Sequence, residues 1–394
     1  MAYRSMYAYA WDIAELGAQP FAEQLKAWHI NSITLAAAYH AGKFLRPNGI
    51  SGKVYFPEDG TAYFKTDRGR YGEIAPIENS LMSERDMLDE CCALDDMNVF
   101  AWMVLTHNSL LGQKHKDCCV SNAFGDRYIY NLCPANPATR DYVVALCTDL
   151  TERYAVTGIT LETPGYLPHV HGYHHEFALV RQNSWLNNML GLCFCEHCLG
   201  KAGEAGIDGT GLQSRTAGAI NNYLSSDIDF PDDMADAFWQ ADLMCDPELS
   251  ALLRLRCQIV ETLVQDIRTA VRDDAQVSVI PSVARPTGGA WYEGSDINRL
   301  AEIADFVEVC FYEPGPGRIA CDLHDVSRRC GGVEKIRGIL RPGFPDLTNR
   351  DHVVSAVETL VSGGVSDLAF YNFGHLRKPS LDWVGEALGA LEAA

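Results

Sequence analysis

Short apolar runs alternate with amphipathic helical segments along the whole chain. Eight of these runs predict strands, and at least one helical segment follows each of them. The eight runs cover residues 5–11, 32–40, 99–107, 156–162, 276–284, 305–313, 336–342 and 367–374. Continuous hydrophobicity of this kind is typical of strands that are buried on both faces, and repeated strand–helix units predict a parallel sheet.

Eight strand–helix units predict an α/β fold of the (β/α)8 TIM-barrel type, as a single domain over residues 1–394. An open, doubly wound sheet is the alternative, but no glycine-rich phosphate-binding loop follows an early strand. The longest polar stretches follow strands 2, 3 and 4. We therefore expect long insertions at these three places, the last of them around residues 163–245.

Composition narrows the range of partners. The chain has 52 acidic and 32 basic residues, and its formal net charge is −20. Such a surface repels phosphate groups, so we expect neither nucleic acid nor membrane as a partner, and a small molecule instead. No apolar stretch is long enough to cross a bilayer, and the first residues lack the pattern of an export signal. Most of the 14 cysteines lie singly in apolar runs, which favours buried thiols in a cytoplasmic protein.

One group of thiols departs from this pattern. The segment "GLCFCEHCLG" places Cys193, Cys195 and Cys198 within six positions, a spacing that suits a tetrahedral zinc ion. A fourth ligand is then needed. Cys133 in "NLCPANP" is one candidate, and a histidine of residues 169–175 (His171, His174 or His175) is the other.

The segments "CPANPATRDY" and "CFCEHC" together resemble the family-42 glycoside hydrolases, most of which are β-galactosidases. The resemblance covers about residues 99–200, and the spacing between the two segments differs. It implies that Cys133, Cys193, Cys195 and Cys198 hold a structural zinc. It also implies a glycosidase acting on a small carbohydrate, Glu162 as the general acid/base at the end of the fourth strand, and a homo-oligomer.

Active sites of such barrels lie at the carboxyl ends of the strands, so we read the candidate substrate-binding residues from those positions. Aromatic rings there could stack on sugar faces, while polar groups bind hydroxyls. The candidates are Trp11, Asp12, His40, His107, Asn108, Arg285, Trp291, Tyr312, Asn372 and His375.

Cleavage of a glycosidic bond needs two carboxyl groups, one on each side of the bond. Burial after an apolar strand would suit Glu162 as the proton donor. Its partner is less evident, because the seventh strand, where the family has its nucleophile, ends without a glutamate. Glu313 after the sixth strand and Asp346 beyond the seventh are the main candidates, and Glu293 is a third.

The stretch "HVHGYHHEF" at residues 169–177 supports a different hypothesis. Its histidines could bind a catalytic metal, which would make the protein a metal-dependent isomerase, lyase or hydrolase. Pro168 and Gly172 speak against a regular helix here and favour a polar loop over the pocket. A barrel that binds sugar without catalysis is a further alternative.

Overall fold

The computed structural model describes residues 2–173 and 176–393. Its centre is a closed barrel of eight parallel strands, each of which coincides with one of the eight apolar runs. The strands are β1 Arg4–Ala8, β2 Ser32–Tyr39, β3 Asn98–Val104, β4 Gly158–Glu162, β5 Gln276–Val279, β6 Phe306–Cys310, β7 Ile336–Leu340 and β8 Leu368–Phe370. Ser5 of β1 pairs with Ser32 of β2 on one side and with Ala369 of β8 on the other, which closes the sheet. The predicted TIM barrel is confirmed.

Helices lie between the strands in chain order. In the described residues they are α1 Ala10–Leu16, α2 Ala18–Ala27, α3 Met87–Cys92, α4 Ser109–Lys114, α5 Pro137–Arg153, α6 Ser184–Leu190, α7 Glu196–Glu204, α8 Gly209–Leu224, α9 Asp232–Cys245, α10 Pro247–Ala270, α11 Ile297–Ile303, α12 Pro316–Cys330, α13 Arg350–Ser362 and α14 Lys378–Ala393. Over the same residues, no helix combines the length and the hydrophobicity that crossing a bilayer requires.

Three connections are much longer than the others. The one after β2 contains four two-residue strands, and one of these, Thr61–Ala62, pairs antiparallel with the end of β2. The one after β3 contains α4 and a hairpin of Cys119–Ser121 and Arg127–Leu132. The one after β4 contains α6 to α9 before α10 returns to the barrel. These connections extend the carboxyl end of the barrel, where the candidate site lies.

The barrel interior holds a buried polar cluster that the apolar runs do not indicate. Glu308 of β6 is fully buried and accepts hydrogen bonds from the hydroxyls of Tyr3 at 2.9 Å and Tyr7 at 3.0 Å. Burial raises the pKa of this carboxyl group. The guanidinium of Arg337 lies 4.0 Å from the centre of the Tyr3 ring. The hydrogen bonds to Glu308 satisfy this buried carboxylate inside the barrel.

Candidate active site and metal centre

A cavity of about 490 Å³ opens at the carboxyl ends of the strands. Residues from all eight strands or their immediate ends contribute to its wall, together with the loop after β4. Six aromatic or imidazole side chains from strands and strand ends line it: Tyr7, Tyr39, His40, Trp102, Tyr312 and Tyr371. Of the residues predicted to bind substrate, His40 and Tyr312 lie in this wall. Tyr7 and Trp102 were not predicted, although both occupy inward-facing positions of their strands.

Glu162 is the one carboxylate among the described residues that line this cavity. It is the last residue of β4, and the indole Nε1 of Trp102 donates a hydrogen bond to its Oε2 at 2.6 Å. Burial raises the pKa of Glu162 to about 7, against the smaller lowering effect of that hydrogen bond. The group can therefore hold or release a proton near neutral pH, as a general acid/base must.

The backbone turns sharply after Glu162. Thr163 has φ of 49°, in the left-handed region that a β-branched residue rarely adopts. The hydroxyl of Thr106 lies 2.8 Å from the carbonyl oxygens of both Thr163 and Gly165, between which its one proton is shared. The strained turn is thus held by its neighbour, which fixes the direction in which the Glu162 carboxyl points.

A group of hydroxyls lies on one side of the cavity. The Tyr9 hydroxyl is 3.2 Å from the hydroxyls of both Tyr39 and Tyr371, and 3.1 Å from Nε2 of His375. Burial raises the pKa of Tyr9 and Tyr371 and lowers that of His375, so all of these groups are neutral at pH 7. They form an uncharged network that can donate and accept hydrogen bonds.

The two main candidates for the partner carboxylate lie outside the cavity wall. Asp346 is buried, and it accepts hydrogen bonds from Arg285 at 2.8 Å and Arg341 at 2.5 Å. Glu313 is also buried, and Arg318 donates to it at 2.5 Å. Asp346 therefore orients two arginines, one of which, Arg341, lines the cavity.

Glu293 lies in a second cavity of about 310 Å³ that adjoins the first. The two cavities share the wall residues Pro168, Val170 and Ala284. The hydroxyl of Ser282 donates to the Glu293 carboxylate at 2.6 Å. Burial, followed by the charge of Glu162, raises the pKa of Glu293 to about 8. The two glutamates are therefore close enough for the charge of one to affect the other.

Four other predicted residues lie outside the cavity wall, where they make local contacts. Asp12 accepts a hydrogen bond from Arg46 at 3.1 Å and another from the backbone of Tyr9 at 3.2 Å, at the start of α1. Trp11 is buried and stacks on Tyr9 with ring centres 4.3 Å apart. Asn108 caps α4, since its Oδ1 accepts from the backbone of Leu111 at 2.9 Å, and Asn372 accepts from the backbone of Gly374 at 2.9 Å.

Two further predicted residues, Trp291 and His375, line neighbouring cavities. Trp291 lines the second cavity. His375 lines a third cavity on the other side, next to Arg341. Strand-end position thus predicted the general location of these residues, but the direction of each side chain depends on the loop that follows the strand.

Four buried cysteines form a compact group. Sγ of Cys133 lies 3.9 Å from Cys193, 3.5 Å from Cys195 and 3.5 Å from Cys198, and all four sulfurs lie within 4.8 Å of one another. A tetrahedral ion with metal–sulfur bonds of about 2.3 Å requires sulfurs about 3.8 Å apart, so the group fits a metal ion. Cys133, rather than a histidine, completes the set.

The cysteine group contacts the segment that carries Glu293. The hydroxyl of Tyr166 lies 3.5 Å from Sγ of Cys198, and the backbone N–H of Tyr166 donates to the carbonyl of Glu293 at 2.9 Å. The guanidinium of Arg256 stacks 4.1 Å above the Tyr166 ring. One tyrosine therefore links the cysteine group to the second cavity.

The histidine-rich loop contributes a side chain to the wall of the first cavity. His171 lines the first cavity. The ring centre of His107 lies 5.8 Å from that of His171 and 4.3 Å from that of His40. His174 and His175 lie outside the described residues. Burial lowers the pKa of His169 and His171, so both are neutral at pH 7. Among the described residues, the four cysteines are the one group of three or more side chains arranged to hold a metal.

No protein-family model matches the chain, and no curated protein matches it in sequence. Solved structures do match it. The glycoside hydrolase domain of PgaB (BpsB) from Bordetella bronchiseptica aligns with a TM-score of 0.63 and 11% identity, over 98% of this chain and 99% of that one. The catalytic domain of the β-amylase from Paenibacillus polymyxa aligns with a TM-score of 0.58 and 13% identity, over 99% and 98%.

The β-galactosidase from the psychrophilic Marinomonas ef1 also aligns, with a TM-score of 0.57 and 10% identity. The match covers 99% of this chain but 59% of that one, so the chain spans less than two thirds of that enzyme. At such low identity the three alignments establish a shared fold. The class that the fold and the site define is a TIM barrel with a buried, protonatable carboxyl group in an aromatic cavity at its carboxyl end.

Proposed function

We propose that the protein is a glycoside hydrolase that cleaves a small glycoside with a pair of carboxyl groups. The observation that carries this proposal is Glu162, at the carboxyl end of β4, with its pKa raised to about 7 inside an aromatic-walled cavity. A carboxyl group that is protonated near neutral pH can donate a proton to the leaving oxygen of a glycoside. The three structural neighbours named above carry glycosidase names, which supports the same function.

The proposed roles of the carboxyl groups follow from their positions. Glu162 exchanges the proton with the glycosidic oxygen, because it is the carboxylate that lines the first cavity. Glu293 is the proposed second carboxyl group, since it lies beside that cavity and responds to the charge of Glu162. With pKa values of about 7 and about 8, one glutamate can supply the acid and the other the base near neutral pH.

The proposed substrate contacts come from the uncharged rings and hydroxyls of the cavity. The sugar ring packs against aromatic faces such as Tyr312, whose ring lies 4.5 Å from the Arg341 guanidinium. Arg341, held by Asp346, and the hydroxyls of Tyr39 and Tyr371 donate hydrogen bonds to sugar hydroxyls. Burial makes these bonds stronger than they would be in water.

The proposed cofactor is a structural zinc held by Cys133, Cys193, Cys195 and Cys198. Four thiolates fill a tetrahedral coordination shell, so no position is left for water or substrate. The ion would supply rigidity to the insertion after β4 and no step of the reaction. Tyr166 would transmit that rigidity to the backbone of Glu293.

The test is turnover by the wild type and by Glu162→Gln. The wild type is assayed against a panel of aryl glycosides and short oligosaccharides of galactose, glucose and N-acetylglucosamine. We expect Glu162→Gln to lower kcat on the substrate found by about 10²–10⁴-fold, because general acid catalysis is lost. Glu313→Gln is the matched control, since that buried glutamate lies outside the cavity, and we expect near-normal kcat from it. Unchanged turnover in Glu162→Gln, or no hydrolysis across the panel, would contradict the proposal.

A further inference from the structure

The second cavity contains an arrangement that Glu293 alone does not explain. It lies between the loop after β4, the helices α6, α9 and α10, and the segment 282–293 after β5. Its volume of about 310 Å³ is enough for one sugar unit, and it adjoins the first cavity, with which it shares the wall residues Pro168, Val170 and Ala284. A molecule that fills the first cavity could therefore extend into the second.

One side of this cavity is aromatic. The rings of Trp239 and Trp291 are nearly parallel, with centres 6.0 Å apart and planes at 6°. Tyr292 stacks on Trp291 with ring centres 3.8 Å apart, and Asn188 donates to its hydroxyl at 3.1 Å. Aromatic side chains that line a cavity can pack against the C–H groups of a sugar ring.

The same cavity is lined by residues with unsatisfied polar atoms. Within the described chain, four buried atoms of lining residues have no hydrogen-bond partner: Nε1 of Trp239, Nε of Arg256, Oδ1 of Asn187 and Nδ1 of His169. Trp239 itself is only 3% exposed. Buried polar atoms without partners are unfavourable, so several of them around one cavity indicate a polar ligand.

The chemistry of these atoms specifies the ligand further. Trp239 and Arg256 offer N–H donors, Asn187 offers a carbonyl acceptor, and the imidazole of His169 can do either. Hydroxyl groups donate and accept, so a polyhydroxylated ring matches this mixture of donors and acceptors. The aromatic face excludes a strongly hydrated ion, and the polar atoms disfavour a purely aliphatic ligand.

We propose that this cavity is a second carbohydrate-binding subsite, which holds the sugar unit next to the bond that is cleaved. The inference rests on the proposed function. Because Glu162 lies in the first cavity and Glu293 in the second, the glycosidic bond would lie where the two cavities meet. The substrate is then an oligosaccharide of at least two units rather than a single sugar with a small leaving group.

Binding to the Glu162→Gln variant tests the subsite without turnover. The probes are lactose, cellobiose and N,N′-diacetylchitobiose, together with galactose, glucose and N-acetylglucosamine. Affinity is measured by calorimetry and by intrinsic tryptophan fluorescence, since Trp102 lines the first cavity and Trp239 and Trp291 line the second. We expect at least one disaccharide to bind tenfold or more tightly than its monosaccharide.

Two further substitutions test whether the tighter binding of the disaccharide depends on the second cavity. Trp239→Phe removes one N–H group and keeps an aromatic ring, and Asn187→Leu removes one acceptor at similar size. In the Glu162→Gln background each should weaken disaccharide binding five- to tenfold and leave monosaccharide binding within twofold. Trp28→Phe is the matched control, because Trp28 lies at the distant α2 end near Asp382. Thermal unfolding of each variant checks that the fold is intact.

The outcomes separate the two proposals. Disaccharide affinity that is unchanged in both Trp239→Phe and Asn187→Leu, or no binding of any probe, overturns the subsite. Weakened disaccharide binding in these variants, combined with normal turnover by Glu162→Gln, keeps the subsite and removes Glu162 from the mechanism. Normal catalysis that depends on Glu162 but gains nothing from a second sugar unit overturns the subsite alone.

Discussion

Glu162 and Glu293 are buried carboxyl groups that accept hydrogen bonds from different donors. The indole N–H of Trp102 donates to Glu162, and the hydroxyl of Ser282 donates to Glu293. Both bonds favour the ionised form, but burial opposes it more strongly and raises both pKa values. Because the charge of Glu162 further raises the pKa of Glu293, the pair keeps one proton over a narrow pH range.

The protonation states of Glu162 and Glu293 predict the pH dependence of catalysis. We expect kcat/KM to follow a bell-shaped curve with limbs near pH 7 and pH 8, since the pKa values are about 7 and about 8. Below the first limb both groups are protonated and no base remains, and above the second both are ionised and no acid remains. Glu293→Gln should lose one limb. A flat profile from pH 5 to 9 would contradict the pairing.

The same burial predicts a stability effect. The pKa of Glu293 rises from 4.5 to about 8 on folding, so the folded state binds the proton more tightly than the unfolded state. The associated stability is fully present below pH 4.5 and is lost as the pH rises through 8. Glu293→Gln should therefore match the wild type near pH 4 and exceed it by about 2–4 kcal/mol at pH 9, since one pKa unit corresponds to about 1.4 kcal/mol. Urea unfolding at both pH values measures this difference.

Individual side chains were predictable only in part. Glu162 follows a long apolar strand, and the structure places it in the cavity wall together with His40 and Tyr312. Asp12 and Asn108 also follow strands, but each lies at the start of a helix, where its oxygen accepts a backbone N–H. A strand-end position therefore locates a residue at the mouth of a barrel, but it does not distinguish a helix cap from a cavity wall.

At the scale of elements, the turn after β4 packs directly against the segment that carries Glu293. A Cβ atom on Gly165 would lie 2.1 Å from the Glu293 carbonyl oxygen, far closer than real contacts allow. The backbone N–H of Tyr166 donates to that same oxygen. The position of Glu293 therefore depends on a glycine in the loop after β4.

Gly165→Ala tests this dependence. The added methyl group must displace the Glu293 segment, so we expect kcat/KM to fall at least tenfold and stability to fall by about 1–3 kcal/mol, as for other overpacked sites. Gly203→Ala in α7 is the matched control, because nothing lies within 4 Å of a Cβ there. The control should be neutral or more stable by up to about 1 kcal/mol. Equal kinetics for the two variants would show that the contact is not needed.

The eight barrel strands were predictable because burial on both faces makes each one a continuous apolar run. The short strands of the insertions were not, since a two-residue strand such as Thr61–Ala62 leaves no periodic pattern. The buried pair Glu308 and Arg337 was also missed. Each is a single polar residue within an apolar strand, and only the closed barrel shows that aromatic rings and hydroxyls surround them.

At the scale of the whole molecule, the cysteine group joins segments that are distant in sequence. Cys133 lies in the connection after β3, whereas the other three cysteines lie in the connection after β4. A metal ion there would link two insertions that both lie over the carboxyl end of the barrel. The free energy of metal binding would then contribute to the folding of this part of the molecule.

Metal removal distinguishes this structural role from the alternative of a catalytic metal in the histidine-rich loop. We expect one zinc per chain by elemental analysis, retained when the folded protein is treated with EDTA and released when urea unfolds it. Activity should persist in EDTA, because a buried tetrahedral sulfur site has no open position for substrate. Cys195→Ser should lower the melting temperature and the zinc content together. Rapid loss of activity in EDTA with recovery on adding metal, while the melting temperature stays constant, would instead favour a metal-dependent enzyme.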